Sequence, residues 1–355
     1  MWKLRLYVSL LFLSRWAVAT FGMMLMVGLL DSLANANEIA ANAEQGGALR
    51  YMYLRAPVIF DQVFLFTLML ALLLTFVSLI RRNELVALQG IGMSVLAQAR
   101  ALGPVVVLTT VASGYAIDRT LPSAVRALDA WGIGDYRGGN VSEEEPLWLN
   151  DNGRFVRITG RVGATGLLNL MFFDRDELGH VRGVMWAERA TYVEGGAGWA
   201  LEGVSTARIQ GAANSDPPPN MWRTDQLPSM IARLAAEPRN LSIRDLHRFS
   251  QLSGSGSRPS GAYRVWHISR WILPLTAFAF LLVAAPIMQR TGRRENGSIA
   301  MMIGLGAGFV FLIFDGVAKT MAGAGSMSPW MAGLGPTIIF GLIGVYLSLR
   351  QETMS

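Results

Sequence analysis

The stretch PVIFDQVFLFTLMLALLLTFVSLI occupies residues 57–80, and Asp61 is its one charged residue. The hydrocarbon core of a bilayer is about 30 Å thick, and a helix of about 20 apolar residues crosses it. An apolar run of this length with so little charge is typical of a membrane-spanning helix and longer than most helices of soluble cores. The stretch therefore predicts a membrane span.

Five further stretches have the same character. They cover residues 7–33, 101–117, 265–288, 298–321 and 330–349. Only 16% of the residues are charged, whereas soluble domains average about a quarter. The first stretch is longer than the apolar core of a signal peptide, so we interpret it as a retained span. The sequence predicts an α-helical membrane protein with six transmembrane helices.

The basic residues of the short loops predict the orientation. With six spans, one side of the membrane carries nearly all of them: Lys3, Arg5, Arg81, Arg82, Arg100, Arg290, Arg293, Arg294 and Arg350. Basic loops stay on the cytoplasmic side. The net charge of +6 is therefore explained by topology, without nucleic-acid binding. We expect a multi-pass protein of the inner membrane whose central region lies outside the cytoplasm.

That central region has a different pattern. Runs with strand-like composition at 147–150, 154–159, 167–174, 180–193 and 199–209 alternate with turn signals. Short strands at this spacing indicate an antiparallel sandwich or jelly roll. A short helix is expected at 240–252, with Ser242 as its N-cap. The predicted domains are 1–120 with the first three spans, 121–262 with the β domain, and 263–355 with the last three spans.

Several kinds of chemistry find no support in the sequence. The chain has no cysteine, and neither Lys3 nor Lys319 lies in the glycine-rich loop that a P-loop ATPase requires. The three histidines lie far apart in the predicted elements, so we expect no metal site. Gly304, Gly306 and Gly308 lie inside the fifth span, where small residues favour helix packing over nucleotide binding. We expect a protein that is not itself an enzyme.

The loop after the second span, residues 81–94, is the first candidate site. Asn83 can cap a short helix, and Glu84 complements the positive N-terminal end of its dipole. The pattern has two interpretations, a connecting helix at the membrane surface or a knob that docks into a soluble partner. Periodicity alone does not choose between them.

A belt of ionisable residues at the outer ends of the spans is the second candidate site. It comprises Asp31, Asp61, His267, Arg270, Asp315 and Lys319. Charges at membrane depth tend to face a cavity or a partner. The alternative is snorkelling to the interface together with local pairs such as Asp315 with Lys319.

Together, five segments resemble one known family in their order and spacing. They are RNELVALQGIG at 82–92, LW at 147–148 leading to GRFV at 153–156, LSIRDLH at 241–247, residues 263–275, and residues 304–315. The chain resembles the LptF/LptG-type lipopolysaccharide export permeases over nearly its whole length. PWMA at 329–332 makes it more similar to the LptG branch.

The resemblance implies a transmembrane subunit of an ABC-type exporter that extracts lipopolysaccharide from the outer leaflet of the inner membrane. It implies an LptF-type second permease subunit, an LptB-type ATPase dimer that binds ATP and Mg, and a periplasmic bridge of LptC and LptA types. The inserted domain would be a β-jellyroll. The loop helix matches the coupling helix that seats in the ATPase, with the residues Arg82, Glu84, Leu85, Leu88, Gln89, Gly90 and Gly92.

The substrate would occupy an apolar cavity with charged residues at its mouth. We expect Phe21, Met24, Met26, Leu29, Phe309 and Phe311 to line the cavity. The better-known members of the family carry lysines near the outer end of the first span, whereas this chain has Asp31 and Glu38 there. We therefore expect Asp31 to turn away from the substrate or to pair with a cation, and Arg55, Arg270 and Lys319 to form a headgroup belt.

Two other functions stay open on the sequence alone. One is a membrane anchor or scaffold of an envelope complex that does not transport. The other is an enzyme that acts within the membrane. Copurification of a P-loop ATPase separates transport from the first alternative.

Overall fold

The computed structural model describes most of the chain. The described residues are 2–41, 47–84, 90, 93–133, 141–151, 153–163, 165–175, 180–193, 195, 198–208, 219–251, 256, 258–292 and 297–352. They form two compact units, a helical unit of 1–34, 55–120 and 265–355, and a second unit of 35–54 and 121–264.

Within these described ranges, six helices are long and apolar enough to cross a membrane. Spans 1 to 6 are the helices Trp2–Ala34, Gly47–Arg81, Val95–Trp131, Ser260–Gly292, Gly297–Gly323 and Pro329–Glu352. The prediction of six spans is confirmed. Span 3 continues beyond the predicted residue 117. Leu121, Val125 and Leu128 are buried at helical spacing in the added turns, and a buried apolar face of this kind stabilises a helix.

Spans 2, 3 and 4 form the centre of the helical unit. Leu68 and Phe76 of span 2 and Leu281 of span 4 are fully buried there. The Gln289 side chain donates a 2.9 Å hydrogen bond to the Gln98 amide oxygen, and this buried pair joins spans 3 and 4. In contrast, only 11% of the most apolar part of span 1 and 22% of that of span 5 are buried. Spans 1 and 5 therefore leave most of their apolar surface uncovered by this chain.

The glycines of span 5 divide between two faces. A Cβ at Gly308 would lie 3.1 Å from the Met69 side chain, and a Cβ at Gly304 would overlap Leu73. A Cβ at Gly306 would meet nothing within 4 Å. Gly304 and Gly308 lie one turn apart and let span 5 approach span 2 closely, whereas Gly306 faces away.

The described residues of the second unit form an antiparallel sheet of seven strands. They are β1 Leu147–Asp151, β2 Arg154–Val162, β3 Gly166–Arg175, β4 Val181–Val193, β5 Gly198–Glu202, β6 Ser205–Arg208 and β7 Met221–Trp222. The order is β1-β2-β3-β4-β5-β7, and β6 pairs with β4. The expectation of an inserted antiparallel β domain is confirmed. Strands β2, β3, β4 and β5 each have partner strands on both sides. The edge strands of the sheet are therefore β1, β6 and β7.

The run 199–209 was expected as one strand, and its described part, 199–208, is interrupted at Gly203. Strands β5 and β6 continue one register along β4, with Arg189 opposite Glu202 and Trp186 opposite Ser205. Between them Gly203 has a φ of +65°. This left-handed conformation suits glycine and breaks the ladder locally.

Helices flank the sheet in the second unit. They are Ala36–Ala41, Pro228–Ala235 and Ile243–Gln251, with a 3₁₀ turn at Pro238–Asn240. The Ser242 hydroxyl accepts a 3.2 Å hydrogen bond from the Asp245 amide, which confirms Ser242 as the N-cap of its helix. Segment 35–54 was predicted within the first domain. It joins the second unit, where Asn35 donates a hydrogen bond to Tyr51 and Arg50 lies over the Trp131 ring.

We predict opposite effects for two substitutions in span 5. Gly304→Leu will lower the thermal stability of the purified protein, because overpacking a tight helix contact costs about 1–3 kcal/mol. Gly306→Leu, the matched control, will leave stability unchanged or raise it, since leucine has the higher helix propensity. Thermal unfolding in detergent measures both variants, and equal stability would contradict this packing.

Candidate functional site

The loop after span 2 begins with the C-terminal cap of the span 2 helix. The amides of Arg82 and Asn83 donate hydrogen bonds to the carbonyls of Ser78 and Ile80. Asn83 has a φ of +57°, the left-handed conformation that ends helices. The expectation that Asn83 is an N-cap is therefore wrong, because an N-cap residue has extended backbone.

Glu84 lies in a cluster with span 1, which we call the Glu84 cluster (Tyr7, Arg82 and Glu84). The Tyr7 hydroxyl donates a 2.9 Å hydrogen bond to Glu84 Oε1. Arg82 Nη1 donates a 3.1 Å hydrogen bond to the Tyr7 oxygen. Glu84 Oε2 is buried and has no hydrogen-bond partner among the described residues. One carboxylate oxygen is thus positioned by span 1, and the other has no donor within the part of the chain that the structure describes.

The sequence did not predict that Tyr7 contacts Glu84. A tyrosine near the start of a span is usually an interfacial anchor, so its position alone does not predict a contact with a loop 77 residues away. Of the other expected loop residues, Gly90 is helical, and a Cβ there would meet nothing within 4 Å. Leu85, Leu88, Gln89 and Gly92 lie outside the described residues.

The three basic residues expected in the headgroup belt are each paired with an aspartate of the same unit. Arg55 donates two hydrogen bonds to Asp31, at 2.9 and 3.0 Å. Arg270 lies 2.8 Å from Asp61, and Lys319 lies 2.6 Å from Asp315. No side chain in these pairs is more than 18% exposed.

Two of the three pairs connect different spans. Arg55 with Asp31 joins spans 1 and 2, and Arg270 with Asp61 joins spans 2 and 4. Lys319 also lies 4.7 Å from the centre of the Trp266 ring, which joins spans 5 and 4. Losing one partner of a buried pair leaves an uncompensated charge and costs about 3–5 kcal/mol. The belt is therefore an internally neutralised set of contacts between spans.

The residues expected to line the lipid cavity do not all face outward. Phe21, Met26, Leu29 and Phe309 are at least half exposed, and Met24 is partly buried. Phe311 is 1% exposed and packs between Phe280 and Phe340, at ring distances of 4.8 and 5.0 Å. The expectation for Phe311 does not fit this burial. Residues two apart on a helix point to nearly opposite sides, so only Phe309 of the two phenylalanines is on the surface.

Metal-ligating side chains do not gather in the part of the chain that the structure describes. His267 accepts a 3.2 Å hydrogen bond from Trp271, and His247 contacts Gln251 at 3.1 Å. Across the described ranges, no group of three His, Asp or Glu residues is placed to hold an ion.

Comparison with known proteins assigns the family. A model of the family "Lipopolysaccharide export system permease LptF/LptG" matches residues 6–350. The chain is 25% identical over 312 residues to the lipopolysaccharide export system permease protein LptG of Escherichia coli K12, covering 86% of each chain. It is 20% identical over 315 residues to LptG of Haemophilus influenzae, again with 86% of each chain covered. The chain belongs to the LptF/LptG family of lipopolysaccharide export system permeases.

Proposed function

We propose that this chain is the transmembrane permease subunit of an ABC-type exporter. It extracts lipopolysaccharide from the outer leaflet of the inner membrane and passes it to a periplasmic bridge. The observation that carries the proposal is the exposed apolar surface of spans 1 and 5 in a chain that matches the permease family from residue 6 to residue 350. Its own residues bind and move an amphiphile, and ATP hydrolysis belongs to a separate chain.

The apolar surface suits the energetics of extraction. Burying each CH₂ of an acyl chain contributes about 0.8 kcal/mol, so a chain leaves the bilayer only for a similarly apolar environment. Phe21, Leu29 and Phe309 offer such side chains at the surface of the helical unit. In the proposed cycle, closure of the permease pair on ATP binding reduces the volume of this cavity and expels the acyl chains.

The proposed assembly has four other kinds of component. An LptF-type subunit faces this chain across the cavity, and an LptB-type dimer binds ATP and Mg in the cytoplasm. The β domain lies in the periplasm and continues into LptC- and LptA-type proteins. Edge strands accept a further strand more readily than interior strands do. The backbone of Trp148 in β1 already pairs with Gly256, so we place the junction at β7.

Glu84 is the proposed contact with the ATPase. Its Oε2 is shielded from water, and no described residue donates a hydrogen bond to it. An unsatisfied buried oxygen costs free energy, which a basic side chain of the ATPase can recover. Tyr7 holds the other oxygen, so a displacement of the loop reaches span 1 through one phenol group.

The direct test is transfer in a reconstituted system. Proteoliposomes that contain this chain, the second permease subunit and the ATPase will release lipopolysaccharide to a soluble periplasmic acceptor only with ATP. A stable complex that hydrolyses ATP but transfers no lipopolysaccharide would contradict the proposal and favour the scaffold alternative.

If Glu84 couples ATP hydrolysis to transport, substitutions in the Glu84 cluster will lower lipopolysaccharide release to different extents. Glu84→Ala will reduce ATP-driven release about tenfold or more, which corresponds to about 1.4 kcal/mol. Tyr7→Phe removes one hydroxyl that positions Glu84 and will have a smaller effect of the same kind, since a hydrogen bond contributes about 0.5–1.5 kcal/mol. Release per ATP hydrolysed is the measurement.

Tyr346→Phe is the matched control for Tyr7→Phe. Tyr346 is 61% exposed on span 6, and its hydroxyl has no contact with the Glu84 cluster. Wild-type release per ATP in Glu84→Ala would exclude a coupling role for this residue.

We further propose that Arg270 meets the lipid headgroup while it remains next to Asp61. A guanidinium has several N–H donors and can hold a phosphate beside a carboxylate. Arg270→Ala will then lower lipopolysaccharide-stimulated ATP hydrolysis more than basal hydrolysis. Asp61→Asn combined with Arg270→Gln removes both charges, and stimulation will stay low in this variant as well. Recovery of stimulation in the double variant would show that Arg270 only neutralises Asp61.

A further inference from the structure

The helix Ile243–Gln251 has one buried side and one basic side. Leu246 and Phe249 are buried. The basic side chains are exposed and lie three and four residues apart, which places them on one face of the helix. We define the basic patch by these side chains and one arginine of span 4: Arg244, His247, Arg248 and Arg264.

The charge of this face is not neutralised within the described part of the chain. Asp245 is the one carboxylate of the helix, and its two oxygens lie 2.9 Å from the Ser242 hydroxyl and 3.5 Å from Arg233 Nη1. Neither Arg244 nor Arg248 forms a hydrogen bond or an ion pair with a residue that the structure describes. Like charges one turn apart repel, and an anion bound between them relieves this repulsion.

Contacts with span 4 hold the helix beside the first turns of that span. The Phe249 ring packs edge-on against Tyr263, with 5.8 Å between the ring centres. Arg264 Nη2 donates a 3.5 Å hydrogen bond to the Ser250 carbonyl. The apolar run of span 4 begins at residue 265, and tyrosine and arginine at the ends of spans commonly lie at the level of the lipid headgroups. The basic patch is therefore next to the membrane surface.

Arg264 shares one face of span 4 with exposed apolar side chains. Trp271 and Leu275 follow it by two and three helical turns and are 67% and 48% exposed. Acyl chains are as apolar as these side chains and can cover such a face in a bilayer. At about 1.5 Å per residue, Arg264 lies about 10 Å beyond Trp271 along the helix. A lipid whose acyl chain covers this face thus has its phosphate near the level of Arg264.

We propose that the basic patch binds the phosphate diester of an anionic phospholipid, with phosphatidylglycerol as the representative. A guanidinium donates paired hydrogen bonds to phosphate oxygens, and Arg244 and Arg248, one turn apart, can reach the same phosphate. An acidic protein segment is the less suitable ligand, because the exposed face of span 4 beside the patch favours a ligand that also carries an acyl chain. The site concerns this chain alone and does not depend on the transport proposed above.

The test uses the full chain in nanodiscs of phosphatidylcholine that contain a small fraction of photoactivatable phosphatidylglycerol. Crosslinks mapped by mass spectrometry will concentrate in residues 244–264. Combining Arg244→Gln with Arg248→Gln will lower this labelling about fivefold or more, because each arginine near an anionic lipid surface adds to the attraction. The single variant Arg248→Gln will lower it less. Arg189→Gln is the matched control, since it removes an exposed arginine of β4 outside the patch, and it will leave the labelling unchanged.

Competing ligands identify what the patch recognises. Unlabelled phosphatidylglycerol will reduce the labelling, whereas phosphatidylethanolamine and inorganic phosphate will not. Three results would overturn the proposal. The first is labelling that the double variant leaves unchanged. The second is stronger competition by lipopolysaccharide than by phosphatidylglycerol, which would assign the patch to the transported lipid. The third is loss of the labelling when the chain assembles with a second permease subunit, which would assign the patch to a protein contact.

Discussion

Charge at membrane depth is the constraint on which the helical unit depends. A charged side chain in the bilayer interior has lost its hydration, and an opposite charge or a dense set of hydrogen bonds must replace it. Pairs of Asp31 with Arg55 and of Asp61 with Arg270 meet this requirement between spans, and Asp315 with Lys319 meets it within span 5. The same pairs hold spans 1, 2 and 4 together, since each charge is stable only where its partner is.

This neutralisation weakens the attraction of the paired cations for a lipid phosphate. The outer end of span 1 carries Asp31, and Arg55 compensates it within the chain. A phosphate that approached Arg55 or Arg270 would share the guanidinium with a carboxylate, which weakens the attraction of each. We therefore propose that recognition by this chain depends chiefly on apolar surface, represented by Phe21, Leu29 and Phe309, with Arg270 as a secondary contact to the headgroup.

Features with a strong local signal could be predicted from the sequence. Six apolar runs predicted six spans, and turn signals predicted the strands of the sheet. Contacts between distant segments could not be predicted, because periodicity does not say which side chains meet. Tyr7 with Glu84 and Arg270 with Asp61 are separated by 77 and 209 residues. Phe311 shows the same limit, since hydrophobicity does not distinguish a lipid-facing phenylalanine from one packed against Phe280.

The central claim is that paired charges stabilise the helical unit, and a double-mutant cycle on Asp31 and Arg55 tests it most directly. Asp31→Asn, Arg55→Gln and the double variant are compared with the wild type by reversible unfolding in bicelles. Each single substitution leaves one buried charge without its partner, whereas the double substitution leaves none. Each single variant is therefore expected to be less stable than the double variant. The account predicts an interaction free energy of about 1–3 kcal/mol between the two sites. Additive effects of the two single substitutions would contradict it.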